Sequence, residues 1–496
     1  MISTAPLAGF AALLATLPLS AASSVLKWTP NIPQIFRGHL SSGAEIFLPS
    51  DPGYTNATTQ RWTVYDEPTY AASIVPATAS DVQTIVTIAG RYGIPFLATG
   101  GGHGLSITLA NVHNGIEIDL SKFKNVTVDT IANTVTVGGA NVFGDVFAPV
   151  WSAGKEMTTG SCACPGVVGA SITGGVGRLQ GLHGLIIDNL LSVELVTANG
   201  SLLTVSETEN ADLFFGIRGG AANFGIILWA TYKIYDHTNR GYVFNADFIV
   251  PANESHNHFE TLKRVAANMP AELAMISDVN YNTQYGGLNI LFNAVFYGSE
   301  AEGRKLVEPF TLNNPIVANY SYVLAQDLTT TALFGLFADA QCVKGKHINT
   351  YTVGATGVDV PTWDAHVADL TQLYKKYPQV QQSTVLLETF SSVGVLAADG
   401  SKTSVPQKHR EITNYVLWGY NYDDTSIDRH INKFAASARK AFTATSGFSD
   451  LELYTTYAHG DEGPQVWYRE QLPALQKLKK QWDPQNLFGF MNPVPV

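Results

Sequence analysis

The sequence predicts an α+β protein with more than one domain. Helix and strand patterns are interleaved up to about Tyr235, which is typical of a lobe in which helices cover a sheet. From about 236 to 450 the apolar runs alternate with period two or are rich in aromatic residues, which favours a mainly antiparallel sheet. A chain of 496 residues also exceeds one ordinary domain. We therefore expect two lobes.

The composition indicates a globular protein that does not bind nucleic acid. Hydrophobic residues make up 45% of the chain and charged residues only 14%, which excludes an intrinsically disordered protein. The formal net charge is −11, and no stripe of lysine and arginine is present. Because nucleic-acid affinity depends on such basic surfaces, we expect no nucleic-acid partner.

The N-terminus has the pattern of a secretory leader. No charged residue occurs between Ile2 and Val25, and the apolar run from Ala5 to Leu19 is too short to span a bilayer. Small residues around Ala22 then suit a cleavage site, so residues 1–22 are predicted to be a signal peptide. Together with glycosylation triplets, this predicts a secreted or endomembrane-lumen glycoprotein without stable membrane insertion. The triplets begin at Asn56, Asn125, Asn199, Asn253 and Asn319.

The first lobe begins with a predicted helix over 80–93. Ser80 and Gln83 have the spacing of a capping box, and Gly93 stands where a C-terminal cap is expected. Period-two patterns predict strands at 94–98, 115–120 and 134–137, and a second helix is expected over 142–153. Helices and strands therefore interleave in this lobe.

The second lobe is predicted to be a sheet with covering helices. Strand patterns occur at 242–248, 288–292 and 414–420, and helical patterns at 255–268 and 363–374. A last helix is expected over 465–482, where the following Asp-Pro pair ends it.

Three glycine-rich segments of the first lobe suggest a phosphate-bearing cofactor. They cover 99–104, 160–177 and 216–225. Glycines between strands and helices let successive backbone N–H groups converge on an anion, as they do around a pyrophosphate. No intact G-x-G-x-x-G is present, since Gln180 stands where the last glycine should be, so an NAD site of the Rossmann type is disfavoured. The alternative is that each cluster only makes a tight turn.

These segments resemble a known family. The strings Pro95-Phe-Leu-Ala-Thr-Gly-Gly-Gly-His-Gly104, Gly160-Ser-Cys-Ala-Cys-Pro-Gly166 and Asp212-Leu-Phe-Phe-Gly-Ile-Arg218 are similar to the berberine bridge enzyme-like oxidases of the vanillyl-alcohol oxidase superfamily. The tail, with Asn492-Pro-Val-Pro, is similar to that group's C-terminus. The resemblance implies a PCMH-type FAD-binding domain of two subdomains over 64–236, a substrate-binding domain over 237–450, and a segment over 451–496 that returns to the first domain.

The resemblance also implies covalent FAD. His103 falls on the histidine that bonds the 8α-methyl carbon of the flavin, and a neutral imidazole is a competent nucleophile for this. Many members carry a second bond from cysteine to flavin C6, for which an ungapped count selects Cys162 and a one-residue insertion selects Cys164. A singly linked flavin stays open, and Cys342 is expected to be a small buried hydrophobe. The expected cofactor-binding residues are Thr99, Gly100, Gly101, Gly102, His103, Gly104, Gly160, Ser161, Cys162, Gly166, Gly169, Gly174, Gly175, Gly177, Gly225, Ile226 and Asn492.

The expected catalytic glutamate of this family is replaced by Val416. Because side chains alternate along a strand, Val416, Trp418 and Tyr420 should share one face, which predicts a pocket wall. Core packing is the alternative for Trp418. Tyr420 and Tyr468 are the candidate proton acceptors, which requires a nearby positive charge to lower their pKa.

The predicted function is therefore an FAD-dependent oxidase. It would remove a hydride from an alcohol, amine or sugar hydroxyl of a small-molecule substrate, with O2 as acceptor and H2O2 as product. We expect it to act as a monomer and to serve fungal secondary metabolism. The alternatives are a redox-neutral isomerase or cyclase, an oligosaccharide oxidase, and a flavin-binding protein that has lost its base.

Overall fold

The computed structural model describes residues 1, 31–336, 338 and 342–496, and it confirms the α+β class. The predicted leader, apart from Met1, lies outside the described residues. We number helices and strands in chain order. The helices are α1 Ile32–Phe36, α2 Tyr54–Ala57, α3 Ala79–Tyr92, α4 Phe143–Ser152, α5 Val167–Ser171, α6 Gln180–His183, α7 Ala211–Ile217, α8 Ser255–Ala266, α9 Glu300–Val307, α10 Leu328–Thr331, α11 Val360–Lys376, α12 Val393–Ala397, α13 Gln407–Arg410, α14 Asp428–Ala444, α15 Pro464–Tyr468 and α16 Leu472–Trp482.

The first lobe contains two main sheets. A four-stranded sheet has the order β1-β2-β4-β3, in which β4 pairs in parallel with β2 and β3. A five-stranded antiparallel sheet has the order β5-β6-β10-β8-β9, and β7 and β11 form a small separate ribbon. The strands are β1 Glu45–Phe47, β2 Tyr70–Val75, β3 Phe96–Thr99, β4 Gly115–Asp119, β5 Val126–Asp129, β6 Thr134–Gly138, β7 Lys155–Glu156, β8 Leu190–Val196, β9 Leu202–Ser206, β10 Ile226–Lys233 and β11 Tyr235–Asp236.

The second lobe is built on one seven-stranded antiparallel sheet with the order β15-β12-β14-β13-β17-β18-β16. Helices α8, α11 and α14 contribute apolar residues to the core on one face of this sheet. The strands are β12 Tyr242–Pro251, β13 Leu273–Asn282, β14 Gly287–Phe296, β15 Val317–Leu324, β16 Ile348–Ala355, β17 Thr384–Phe390 and β18 Asn414–Asn421.

Two predicted helix ends differ from the structure. Helix α3 is capped by Thr78, whose Oγ1 accepts from the N–H of Asp81 at 3.2 Å while Asp81 accepts from the N–H of Thr78. The capping box therefore lies two residues before the predicted one, although Gly93 ends the helix as predicted with φ +62°. The single helix predicted over 465–482 is two helices, because Arg469 takes φ +43° between α15 and α16.

The C-terminal tail packs on the first lobe. Phe488 is part of the core under the four-stranded sheet. The N–H of Asn492 donates to Thr108 Oγ1 at 3.1 Å, and the N–H of Val494 donates to Asn223 Oδ1 at 2.9 Å. The domain limits at 64, 236 and 450 stay predictions. None of the helices in the described ranges combines the length and apolar character that crossing a bilayer requires.

Candidate functional site

The glycine clusters and the large sheet enclose a cavity of about 310 Å³. Strand β3 ends at Thr99, and the chain then runs through glycines that pack backbone against backbone. A Cβ on Gly101 would lie 2.6 Å from the amide nitrogen of Gly166, so the first two clusters touch where no side chain fits. Gly102 takes φ +73°, which only glycine adopts readily. At this point of close approach the wall of the cavity is backbone.

Most of the predicted cofactor-binding residues line this cavity. They are Thr99, Gly100, Gly101, Gly102, His103, Gly104, Gly160, Ser161, Cys162, Gly166, Gly169, Gly225 and Ile226. Arg61, Trp62 and Gly139 also line it, and no sequence motif singles them out.

Four of the predicted cofactor-binding residues are not among the described residues that line the cavity, so their assignment stays a prediction. Gly174 and Gly175 take φ +134° and +82°, and a Cβ on Gly175 would clash with Ile186. Gly177 packs closely against the carbonyl of Thr159. The amide of Asn492 donates to Thr455 O at 3.1 Å. These contacts show that the glycines have packing roles in the turn and that Asn492 holds the tail.

His103 enters the cavity as a neutral imidazole. Its ring stacks on Trp62 with centroids 5.6 Å apart. Burial, with smaller contributions from Lys344 and Arg61, lowers the pKa of His103 to about 3. Its Nε2 is buried and has no hydrogen-bond partner among the described residues. A neutral ring with an unused nitrogen fits the predicted bonding to an electrophilic carbon of a cofactor.

The cysteines separate into two roles. Cys164 and Cys342 form a disulfide that joins the first lobe to the second, so the prediction of Cys342 as a plain buried hydrophobe is wrong. This pairing also removes Cys164 as a nucleophile. Cys162 lies outside the disulfide and lines the cavity. Burial raises the pKa of the Cys162 thiol, and hydrogen bonds from the backbone of Cys164 and Ala163 oppose this.

One face of the large sheet closes the cavity opposite the glycines. Strands β13, β17, β18 and β16 are neighbours, and their register places Asp278 opposite Leu386 and Leu386 opposite Leu417. Two residues along the strands, Thr384 lies opposite Gly419. Because alternate residues share a face, these side chains form a continuous surface. The cavity-lining residues of this surface are Asp278, Thr350, Thr384, Leu386, Glu388, Leu417 and Gly419.

The predicted pocket wall on β18 faces the wrong way. Val416, Trp418 and Tyr420 do share a face, but they are buried in the core beneath the helices. Trp418 Nε1 donates to Nε2 of His366 on α11 at 2.8 Å, and the Tyr420 ring lies edge-on to Phe434 on α14. The alternating residues that reach the cavity are Leu417 and Gly419. The assignment of Tyr420 as a proton acceptor is therefore wrong, because burial also raises its pKa well above the usual value.

Tyr468 is equally remote from the cavity. Its hydroxyl donates to the carbonyl of Asn492 and accepts from Nδ2 of Asn223 at 3.2 Å. Burial raises its pKa, and no positive group opposes the effect. Tyr468 therefore holds the C-terminal tail by hydrogen bonds and is not among the described residues that line the cavity.

Glu388 and Tyr457 form a hydrogen-bonded pair in the cavity, where Tyr420 and Tyr468 had been expected. The hydroxyl of Tyr457 donates to Oε2 of Glu388 at 2.9 Å, and both residues line the cavity. Burial raises the pKa of Glu388, opposed by Tyr457 and by the positive charge of Arg178. Burial and the negative charge of Glu388 raise the pKa of Tyr457. A neutral tyrosine bonded to a basic buried carboxylate can pass a proton from a ligand to Glu388.

Sequence reasoning missed this pair, although a signal was present. Glu388 is the single acid in the apolar strand pattern Thr384-Val-Leu-Leu-Glu-Thr-Phe390. A lone acid on a strand that should be buried indicates a functional site more often than an error of packing. Tyr457 lies in the short string Tyr454-Thr-Thr-Tyr457, which has no comparable pattern.

Asp278 is a second acid on the same surface. Its carboxyl is 2% exposed, and Oδ1 has no hydrogen-bond partner among the described residues. Burial raises the pKa of Asp278 to about 7. The register places it diagonally from Glu388, and such neighbours are about 7–8 Å apart. The cavity thus offers two acidic positions to one ligand.

Comparisons with known proteins identify relatives of this chain. Residues 70–206 match the FAD binding domain family, and residues 453–495 match the family described as berberine and berberine like. The FAD-linked oxidoreductase azaL of Aspergillus niger is 44% identical over 470 residues, which cover 94% of this chain and 99% of that protein.

Solved structures share the fold. The BBE-like 1 protein of Physcomitrella patens has a TM-score of 0.79 at 20% identity, covering 94% of this chain and 99% of that one. Glucooligosaccharide oxidase of Acremonium strictum, whose description reports a 6-S-cysteinyl, 8α-N1-histidyl FAD, has a TM-score of 0.76 at 20% identity with the same coverage of both chains.

Proposed function

Because the chain belongs to the berberine bridge enzyme-like FAD-linked oxidoreductases, we propose that it is an oxidase of a small hydroxyl-bearing molecule with O2 as electron acceptor. The single observation that carries the proposal is the Glu388–Tyr457 pair in the cavity. Hydroxyl oxidation requires a group that removes the proton from oxygen while the hydride leaves carbon, and this pair supplies it.

FAD fits the residues of the glycine-lined half of the cavity. The backbone at Gly100–Gly102 and Gly166 accommodates a diphosphate, while His103 and Cys162 would hold the flavin ring by two covalent bonds. The unused Nε2 of His103 and the disulfide that withdraws Cys164 support this assignment. When bound, the flavin takes two electrons from the substrate and delivers them to O2 as H2O2.

The chain's own part in the reaction is a proton relay. The oxygen of Tyr457 accepts the proton of the substrate hydroxyl while the tyrosine proton moves to Glu388. Tyr457 therefore never has to become an anion, which its raised pKa would oppose. The raised pKa of Glu388 makes its carboxylate a stronger base than an exposed glutamate.

The shape of the surface favours a compact, partly apolar alcohol. Leu386, Leu417 and Gly419 form the apolar part of the sheet face, and its polar part consists of Asp278, Thr350, Thr384 and Glu388. Asp278 would accept a hydrogen bond from a second hydroxyl or amine of the substrate. An oligosaccharide needs many hydrogen bonds, so this surface suits it less well than a secondary metabolite with few polar groups.

A redox-neutral isomerase or cyclase is the second candidate, since the same relay could return its proton. The two are distinguished by H2O2, which only the oxidase releases in amounts equal to the substrate consumed.

We also propose that the protein matures in the secretory pathway as a monomeric glycoprotein. All five asparagines of the glycosylation triplets are exposed, as attachment of a glycan requires. N-terminal sequencing of protein from the native host should begin near Ala22, and an intact Met1 would contradict secretion.

The decisive experiment is turnover of a panel of alcohols, sugars and amines under air, with H2O2 measured by a coupled peroxidase. The wild-type protein should oxidise at least one compact alcohol, and Glu388→Gln should not. Glu260→Gln, at an exposed position of α8, is the charge-matched control. H2O2 release by Glu388→Gln at the wild-type rate would refute the proposal.

Flavin attachment is tested separately by peptide mass mapping of denatured protein. The flavin mass should appear on the peptides of both His103 and Cys162, and His103→Ala should release flavin more readily than the wild type. A flavin found on the Cys164 peptide would contradict the assignment.

A further inference from the structure

A second cavity of about 80 Å³ lies directly behind one wall of the cofactor cavity. The two cavities share Gly160 and Ser161 as lining residues, so a single layer of chain separates them. Helix α4 forms one side through Val146 and Val150, and Leu328 of α10 contributes to the lining. The α4 side of the cavity is apolar, and polar residues such as Arg178 and Thr159 line other parts of it.

Arg178 lines this second cavity without a partner. The residue is 6% exposed, and both Nη1 and Nη2 are buried with no hydrogen-bond acceptor among the described residues. Burial lowers the pKa of Arg178, but an arginine starts so high that the guanidinium stays charged. Leaving a buried charge without hydrogen bonds costs several kcal/mol, so a binding partner should be present in the working protein.

The neighbouring carboxylates are occupied by other donors. Asp247 accepts from the N–H of Leu333 at 2.7 Å and from Asn293, and Glu388 accepts from Tyr457. Both raise the pKa of Arg178 by their charge, but within the described ranges neither forms an ion pair with it.

The one carboxylate among the described lining residues also has other partners. Glu156 lies 2.7 Å from Nε2 of His183 and accepts both the hydroxyl and the N–H of Thr238. Lys155, another lining residue, pairs with Asp236. Glu156 and Lys155 therefore interact with other residues and not with Arg178.

A second unused donor lines the same cavity. Nε1 of Trp151 is buried and has no acceptor among the described residues, and its ring is tilted against His237 at 5.5 Å between centroids. An indole N–H and a guanidinium are both donors only. A ligand that satisfied both groups would need acceptor oxygens.

We propose that this second cavity binds a small monocarboxylate, with its carboxylate on Arg178 and its short apolar body against the α4 side chains. The planar fork of arginine matches two carboxylate oxygens, which favours a carboxylate over a spherical halide. A cavity of roughly 150 Å³ holds benzene, so a volume of about 80 Å³ limits the ligand to a few heavy atoms, such as propionate. This cavity is separate from the one that holds Glu388 and Tyr457, although the charge of Arg178 acts on Glu388.

The test is a titration of the flavin-loaded protein with propionate, followed by calorimetry and by the flavin absorbance spectrum. The wild type should bind propionate with saturation and should not bind propionamide, which has the same shape without the charge. Arg178→Met should weaken binding at least about tenfold, since it removes the charged partner of a desolvated pair. Arg304→Met, which removes an exposed charge paired with Glu300 on α9, should leave the affinity unchanged.

Equal propionate affinity in Arg178→Met and the wild type would overturn the proposal. If Arg178→Met does not fold, Trp151→Phe provides the same test, because it keeps the ring and removes only the N–H. A crystal structure of the wild type grown with propionate decides independently: a carboxylate on Arg178 supports the site, and ordered water alone at the guanidinium refutes it.

Discussion

The two faces of the large sheet differ in function although the same strand supplies both. Along β18, Leu417 and Gly419 line the cavity, whereas Trp418 and Tyr420 are buried among helices. The aromatic residues with polar tips lie on the face that carries no chemistry. An accumulation of large aromatics on a strand thus marks the face that a helix layer covers, and the small residues between them leave room for a ligand.

The strongest test of this comparison is Glu388→Gln on the cavity face. We expect the rate of flavin reduction to fall by about two to four orders of magnitude, because the variant cannot take the substrate proton. In the wild type that rate should rise with pH through the raised pKa of Glu388, since only the carboxylate accepts a proton. Anaerobic stopped-flow measurements should show that pH limb in the wild type and not in the variant.

Tyr457→Phe should have the next largest effect. Loss of the hydroxyl breaks the 2.9 Å link to Glu388 and should slow flavin reduction about 10²-fold. Single-turnover reduction with an alcohol substrate measures this directly. Reduction at the wild-type rate would show that the substrate reaches Glu388 without the tyrosine.

Trp418→Phe probes the helix-covered face. The variant loses the hydrogen bond to His366 and leaves a small void, so the free energy of unfolding should fall by about 1–3 kcal/mol. Denaturant unfolding measures the loss, and kcat should stay near that of the wild type. A large drop in kcat with unchanged stability would place Trp418 in the reaction and break the comparison.

Tyr420→Phe should have the smallest effect, and it should raise the free energy of unfolding where Trp418→Phe lowers it. The hydroxyl of Tyr420 is buried and has no hydrogen-bond partner among the described residues. Removing it therefore removes the free-energy cost of burying a polar group without a hydrogen bond. Stability should be unchanged or rise by up to about 1 kcal/mol, and flavin reduction should not slow. A slower reduction would restore Tyr420 as a catalytic candidate.

The sequence was most informative where local geometry dictates the residue. The glycines at 100–102 pack so closely that no side chain fits, so these positions form a recognisable sequence motif. The same motif identifies the adjacent His103. On β18 the alternation correctly grouped Trp418 with Tyr420, but period two cannot tell which face meets a helix layer. That choice depends on α11 and α14, whose positions follow from long-range packing.

Contacts between residues far apart in the chain could not be predicted from the sequence for the same reason. Glu388 and Tyr457 meet across 69 residues, and neither has a neighbour in the chain that signals the other. Gly177 shows a related limit, because its motif predicts a cofactor contact, whereas the constraint that the structure shows at this glycine is its close packing against Thr159. A motif identifies a backbone constraint without saying which neighbour imposes it.

The disulfide between Cys164 and Cys342 determines in which cellular compartment the protein can reach its full stability. It closes a loop between cysteines 178 residues apart, and in the chain-entropy account such a loop stabilises the folded state by about 5 kcal/mol. That contribution is available only where thiols are oxidised. The same polypeptide made in a reducing cytosol would lack this covalent link between its lobes, and two further thiols would lie close to Cys162 during cofactor attachment.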